Sequence, residues 1–166
     1  DIDTRQLINY LDLVSLATVA DQVPLNDENR IITYLGLEQI NKKPRPGIKA
    51  LLSDFKGNEI STSTLVFKLC PKVNAAGRMK HANLALELLM CEKLEHTVNL
   101  SEQISSINIE RREEDKKTTE EALIQIKQEE EESFSSTLVH NDNWHPGIIG
   151  IVASRLIEKY YRPTIV

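Results

Sequence analysis

The sequence predicts an α/β protein with two lobes and a bridging helix, on three observations. The first is a strand–helix–strand order near the end: Thr137-Leu138-Val139, then a helix over Ile148 to Tyr161, then Thr164-Ile165-Val166. That order with a short loop before the helix is half of a parallel α/β layer. The second is a mostly apolar run from Leu11 to Leu16, which reads as a buried strand ending near Ala20-Asp21. The third is a change of texture from about Lys93, where apolar positions thin out into Glu110-Arg111-Arg112-Glu113-Glu114-Asp115-Lys116-Lys117.

Each element follows from local chemistry. Leu7 to Tyr10 reads as a short helix leading into the 11–20 strand, and Pro24 cannot continue a strand ladder. Ile31, Ile32, Leu35, Leu37 and Ile40 recur at helical spacing, with Asn26 or Asp27 as N-cap. Lys42-Lys43-Pro44-Arg45-Pro46-Gly47 is a stop signal, and Ile48 to Leu52 makes a short helix. Ser61 to Thr64 can cap a short helix or strand over Leu65 to Leu69. Asn74 to Gly77 reads as a small, flexible turn, and Ala82 onward as a helix. The stretch 110–121 is polar all round, so it is expected to bridge two domains and to rest on pairs such as Glu113–Lys117. Glu129 to Glu132 and Ser133 to Ser136 are expected to close it.

Composition narrows the class. The 166 residues are 40% hydrophobic and 27% charged, the balance of a soluble globular protein. No apolar run approaches the roughly 20 residues of a membrane span, and no basic-then-apolar leader opens the chain. It begins on Asp1 rather than Met and closes on Pro163-Thr164-Ile165-Val166, so the expectation is an internal piece of a longer polypeptide. Cys70 and Cys91 have no partners at ligand spacing and read as reduced and structural, which fits the cytoplasm. Net charge is −5, but the stretch 42–80 carries nine Lys and Arg against Asp54 and Glu59. Such asymmetry suits either an anionic polymer or a solvated lysine-rich face.

Three places carry candidate chemistry. Asp21 puts a carboxylate at the end of the 11–20 run, where a ligand site or a turn cap at Val23-Pro24 would explain it. Asn74-Ala75-Ala76-Gly77-Arg78 offers close backbone approach, an anion nest and a guanidinium fork for phosphate, flanked by Lys72 and Lys80. Trp144-His145-Pro146-Gly147 precedes a helix whose glycines suit phosphate, with a Trp that can stack on a base. The plainer readings are a helix-entry loop with one exposed Arg and a structural His beside a Trp.

Taken together these stretches resemble one family. Leu13 to Leu25 with Glu28-Asn29-Arg30 looks like the fourth motif of the DHH phosphoesterase superfamily in its RecJ form. Arg45-Pro46-Gly47 before a Leu pair, Pro71 to Met79, and Trp144 to Leu156 resemble RecJ in the same order. The resemblance covers about residues 7–166. It implies a 5′-to-3′ exonuclease on single-stranded DNA, acting in recombination and repair, with two divalent ions (Mn²⁺ or Mg²⁺) bound by Asp and His residues. It also implies a domain plan: 1–92 as the C-terminal part of the DHH catalytic domain, 93–132 as the connecting helix, and 133–166 as the start of the DHH-associated domain.

By position in the motifs, the resemblance makes Asp21 a metal ligand. Asn74, Arg78, Lys72 and Lys80 become substrate-phosphate contacts, and Trp144, His145 and Gly147 DNA contacts of the second lobe. Partners implied are single-stranded DNA and, for the longer protein, a single-strand-binding protein or helicase, with no membrane. The chain lacks an Asp-His-His, and the family's upstream Asp-x-Asp motif is expected before residue 1. It is therefore expected to be inactive and metal-free by itself. Alternatives of the same superfamily are a phosphodiesterase on short oligonucleotides or cyclic dinucleotides, and a non-catalytic nucleic-acid-binding relative.

Overall fold

A computed structural model describes residues 4–128 and 134–166. The chain folds as two compact units, one up to Ser106 and one from Ile107. The fold is helix-rich α/β, and among the described residues strands occur only in the second unit.

The first unit is helical. A short helix α1 (Thr4–Leu7) and a 3₁₀ turn (Ile8–Tyr10) lead into α2 (Leu11–Ala20), followed by α3 (Asp27–Lys42) and α4 (Pro46–Leu51). The strand expected over 11–20 is therefore a helix. Its buried positions are Asp12, Ser15, Leu16 and Val19, at the i, i+3, i+4, i+7 spacing of one helical face. Two of those four are polar, so an apolar count does not find the face.

α2 lies directly on α3. Gly36 makes this possible: a Cβ there would sit 2.3 Å from the Leu11 carbonyl oxygen and from the Ser15 Cβ. Thr33, Gly36 and Ile40 form the buried stripe of α3, and the backbone of Asn26 precedes its first turn as expected.

Ser61 and Thr64 form a reciprocal capping box that opens α5 (Thr62–Thr64). A π-helical turn (Leu65–Leu69) follows and runs into α6 (Cys70–Met79). The 65–69 stretch is thus helical rather than a strand. The turn expected over Asn74 to Gly77 is also helix. Ala75 and Ala76 are fully buried and favour helix, which outweighs Asn74 and Gly77. α7 (Asn83–Met90) completes the layer, and its Leu88 is buried in a core shared with Leu16, Ile48, Leu51, Leu69 and Ile104.

α8 runs from Leu94 to Gln128, 35 residues and about 52 Å at 1.5 Å per residue. The expected long helix is present, but it is not polar all round. Asn108, Asp115, Thr118, Ala122 and Ile126 are buried at spacings of three, four or seven residues, so one polar-lined face is covered. The i,i+4 ion pair on its surface is Lys116–Glu120 at 3.9 Å rather than Glu113–Lys117. The expected closure by Glu129 to Ser133 lies outside the described residues.

The second unit has the expected strand–helix–strand order. β1 (Thr137–Leu138) pairs in parallel with β2 (Thr164–Ile165) across α9 (Pro146–Tyr160). Ile148, Val152 and Leu156 make the buried stripe of α9. Tyr161 takes the left-handed conformation that ends it (φ 50°). Arg162 then donates through Nε to Thr137 Oγ1 at 2.6 Å and through Nη1 to the Phe134 carbonyl at 2.6 Å, holding β1 beside β2.

Candidate active site

Asp21 sits at the C-terminal end of α2, its backbone N–H donating to the Ala17 carbonyl at 3.1 Å. Gln22 follows in the left-handed region (φ 53°), which turns the chain away. Among the described residues no side chain or backbone group bonds the Asp21 carboxylate, so it is not the turn cap that Val23-Pro24 invited. A carboxylate at the negative end of a helix dipole is poorly placed unless a cation joins it.

Asp21 opens onto a cleft of about 410 Å³. α2 forms one wall through Ala17 and Ala20, α6 contributes Cys70 and Asn74, and α7 closes it with Leu86 and Leu89. Two motifs 53 residues apart in sequence thus meet: Asp21 and Asn74 line the same cleft. The Cys70 thiol is buried, and burial pushes its pKa up, so it stays protonated and unreactive.

Asn74, Gly77 and Arg78 are all exposed, and at i, i+3 and i+4 they share one face of α6. A helix face therefore replaces the expected nest. Gly77 has room for a side chain, since a Cβ would meet Ala82 Cβ at 3.8 Å. Lys80 is exposed just past the helix end.

Lys72 is different. Its ammonium donates to the Leu51 carbonyl at 2.6 Å and to Asp54 Oδ1 at 3.1 Å, with 15% of the side chain exposed. That hydrogen bond holds the Asp54 carboxyl below its ordinary value. Lys72 thus fastens α6 to the end of α4, with two of its three N–H donors engaged within the protein.

In the second unit Trp144 is buried, and its indole N–H donates to Glu121 Oε2 at 2.8 Å. A ring so covered offers little face on which a base could stack. His145 is the N-cap of α9, its Nδ1 accepting from Gly147 N–H at 3.0 Å. A shallow cleft of about 360 Å³ lies beside Glu121, Gln125, His140 and Trp144. No Lys or Arg lines it, so it does not suit phosphate.

Sequence reasoning missed, among others, two ion pairs on buried carboxylates. Arg45 Nε bonds the buried Asp12 Oδ2 at 2.6 Å, and Arg155 Nη2 bonds the buried Asp115 Oδ2 at 2.7 Å. Their partners lie 33 and 40 residues apart, beyond any local pattern.

No protein-family model matches the chain. Curated relatives do. The single-stranded-DNA-specific exonuclease RecJ of Bacillus subtilis is 40% identical over 158 residues, covering 94% of this chain and 20% of that protein. RecJ of Salmonella typhimurium is 40% identical over 173 residues, covering 99% of this chain and 30% of the relative. The crystal structure of RecJ in complex with Mn²⁺ from Thermus thermophilus superposes with a TM-score of 0.84 at 28% identity, over 95% of this chain and 24% of that one. Along nearly its whole length the chain matches a stretch of RecJ.

It spans between a fifth and a third of the length of the curated RecJ proteins it matches. RecJ structures similar to it were solved with Mn²⁺ or Mg²⁺. Among the described residues no three His, Cys, Asp or Glu side chains gather closely enough to hold a metal ion, and Asp21 stands as a single carboxylate. No helix is long and apolar enough to cross a membrane among the described residues.

Proposed function

We propose that this chain is part of a RecJ-type 5′-to-3′ exonuclease that hydrolyses phosphodiester bonds of single-stranded DNA in cytoplasmic recombination and repair. The observation that carries the reading is the meeting of Asp21 and Asn74 in one cleft of a fold that follows RecJ over 95% of the chain. Asp21 serves as one ligand of a divalent-metal pair whose other ligands come from elsewhere in the polypeptide. Two such ions would generate the attacking hydroxide and steady the oxygens at phosphorus.

The chain's own residues bind and orient the strand. Asn74 offers an amide to a phosphate or sugar oxygen at the cleft, and Arg78 a fork suited to a phosphate one turn away. Lys80 adds charge at the same end of α6. The start of α9, with His145 and Gly147, is the contact of the second lobe. Residues 1–92 then belong to the catalytic domain, 93–132 to the connecting helix and 133–166 to the associated domain.

Two measurements test this. The full-length polypeptide with Mn²⁺ should release nucleotides from single-stranded DNA, whereas the 166-residue chain should leave it intact, because one carboxylate does not retain a metal pair. Nucleotide release by the 166-residue chain would overturn the assignment of missing ligands. In the full-length protein, Arg78→Ala should weaken DNA binding and reduce the slope of log affinity against log salt by about one, the signature of one lost phosphate contact. An unchanged slope removes Arg78 from the interface.

A further inference from the structure

The Arg45-Pro46-Gly47 motif has no part in the chemistry above, yet its contacts reach two walls of the Asp21 cleft. Arg45 is the hub. Its Nε donates to Asp12 Oδ2 at 2.6 Å and its Nη2 to the Asn9 carbonyl at 2.6 Å, and its guanidinium lies 5.1 Å from the centre of the Tyr10 ring. Asn9, Tyr10 and Asp12 are the entry and first turn of α2. Asp12 is 1% exposed, and its other oxygen accepts from the Leu13 N–H at 2.8 Å. Gln39 of α3 donates to the same Asn9 carbonyl at 3.2 Å.

The opposite side of the motif touches α7. A Cβ on Gly47 would lie 2.2 Å from the Leu88 carbonyl oxygen and 2.8 Å from its carbon, so α4 rests its first turn against the α7 backbone. Leu86 and Leu89, on either side of Leu88, line the cleft. Pro46 starts α4 at a position where its missing N–H is harmless.

We propose that Arg45 is a positioning residue for the cleft. It fixes the N-terminal end of α2 against the α4–α7 corner and thereby sets where Asp21 stands, nine residues and about 14 Å further along the same rigid helix. Arginine is the side chain that can do this. Its planar fork meets a carboxylate and a carbonyl at once, which a lysine ammonium on a flexible stem does not reproduce. The proposal rests on the RecJ reading for what the cleft does, and on the geometry alone for what Arg45 holds.

The test uses the full-length polypeptide and two variants. Arg45→Lys keeps the charge and loses the fork. The double variant Asp12→Asn with Arg45→Met removes both charges, so that no carboxylate is left buried and unpaired should the single variant fold poorly. Cys70, covered in the cleft, reports on the α2 wall through its rate of alkylation, and Cys91 is the internal reference.

The expected result is a rise of about tenfold in Cys70 labelling with Cys91 unchanged, the mark of a local opening. Alongside it, kcat of DNA hydrolysis should fall about tenfold or more while KM stays within about twofold, because a reacting group is displaced and strand contacts are kept. Unchanged Cys70 labelling in a folded variant overturns the proposal, as does an equal rise at Cys91 or an unchanged kcat in an active enzyme. Should the wild-type protein show no hydrolysis, the RecJ reading fails, and the Cys70 rates alone decide whether Arg45 holds α2.

Discussion

Asp21→Asn in the full-length protein should lower metal-dependent hydrolysis of single-stranded DNA by at least about 100-fold. Outer-shell partners of a metal ligand cost about 10–100-fold when removed, and a direct ligand should cost no less than the upper figure. The substitution is nearly isosteric, and among the described residues the carboxylate has no bonding partner, so those contacts of the fold are kept. Removing a negative charge from the C-terminal end of α2 should even raise its stability slightly. The measurement is kcat/KM beside a thermal melt. Loss of activity with an unchanged or higher melting temperature supports the ligand role. Retained activity removes Asp21 from the centre.

Gly36→Val should damage the first unit severely, at upward of about 3 kcal/mol, the high end of overpacking penalties. The atoms in the way are the Leu11 carbonyl oxygen and the Ser15 Cβ, both 2.3 Å from where a Cβ would lie. A backbone oxygen inside a helix does not move aside, so α2 must part from α3. Gly150 is the contrast, with nothing within 4 Å of its would-be Cβ in the middle of α9. Gly150→Ala should stabilise by about 1 kcal/mol through helix propensity alone. Denaturant unfolding followed by far-UV circular dichroism reads the first change. Fluorescence of Trp144, the single tryptophan, reads the second.

The strand–helix–strand of the second unit was legible because its signals are local and apolar: two β-branched runs, a helix stripe of Ile148, Val152 and Leu156, and Pro163 as a stop. The misread segments share a different cause. α2 buries Asp12 and Ser15 beside Leu16 and Val19, and α8 buries Asn108, Asp115 and Thr118. Hydropathy reads such faces as solvent-facing, so one segment passed for a strand and the other for a helix without a core. Asp12 and Asp115 are tolerated inside only because Arg45 and Arg155 reach them from 33 and 40 residues away.

The site divided along the same line. Residue type pointed to Asp21, Asn74 and Arg78, but not to which helix face each would take. Lys72 and Arg78 look alike in sequence as neighbouring cations. Six residues along α6 separate Lys72, whose side chain is mostly covered, from Arg78, which is exposed. The family resemblance is what suggests a metal-ligand role for Asp21; spacing and charge alone left it as a turn cap, and among the described residues its carboxylate caps no backbone group.

The pairing of β1 with β2 has a consequence for the protein in solution. The two strands make a ribbon only two residues long, in which Leu138 sits opposite Ile165 and both residues are more than half exposed. Such a ribbon is a template that another chain can extend. Concentrated preparations of the 166-residue chain would then stick together through this edge, and a lysine in place of Leu138 or Ile165 is the substitution that keeps them apart.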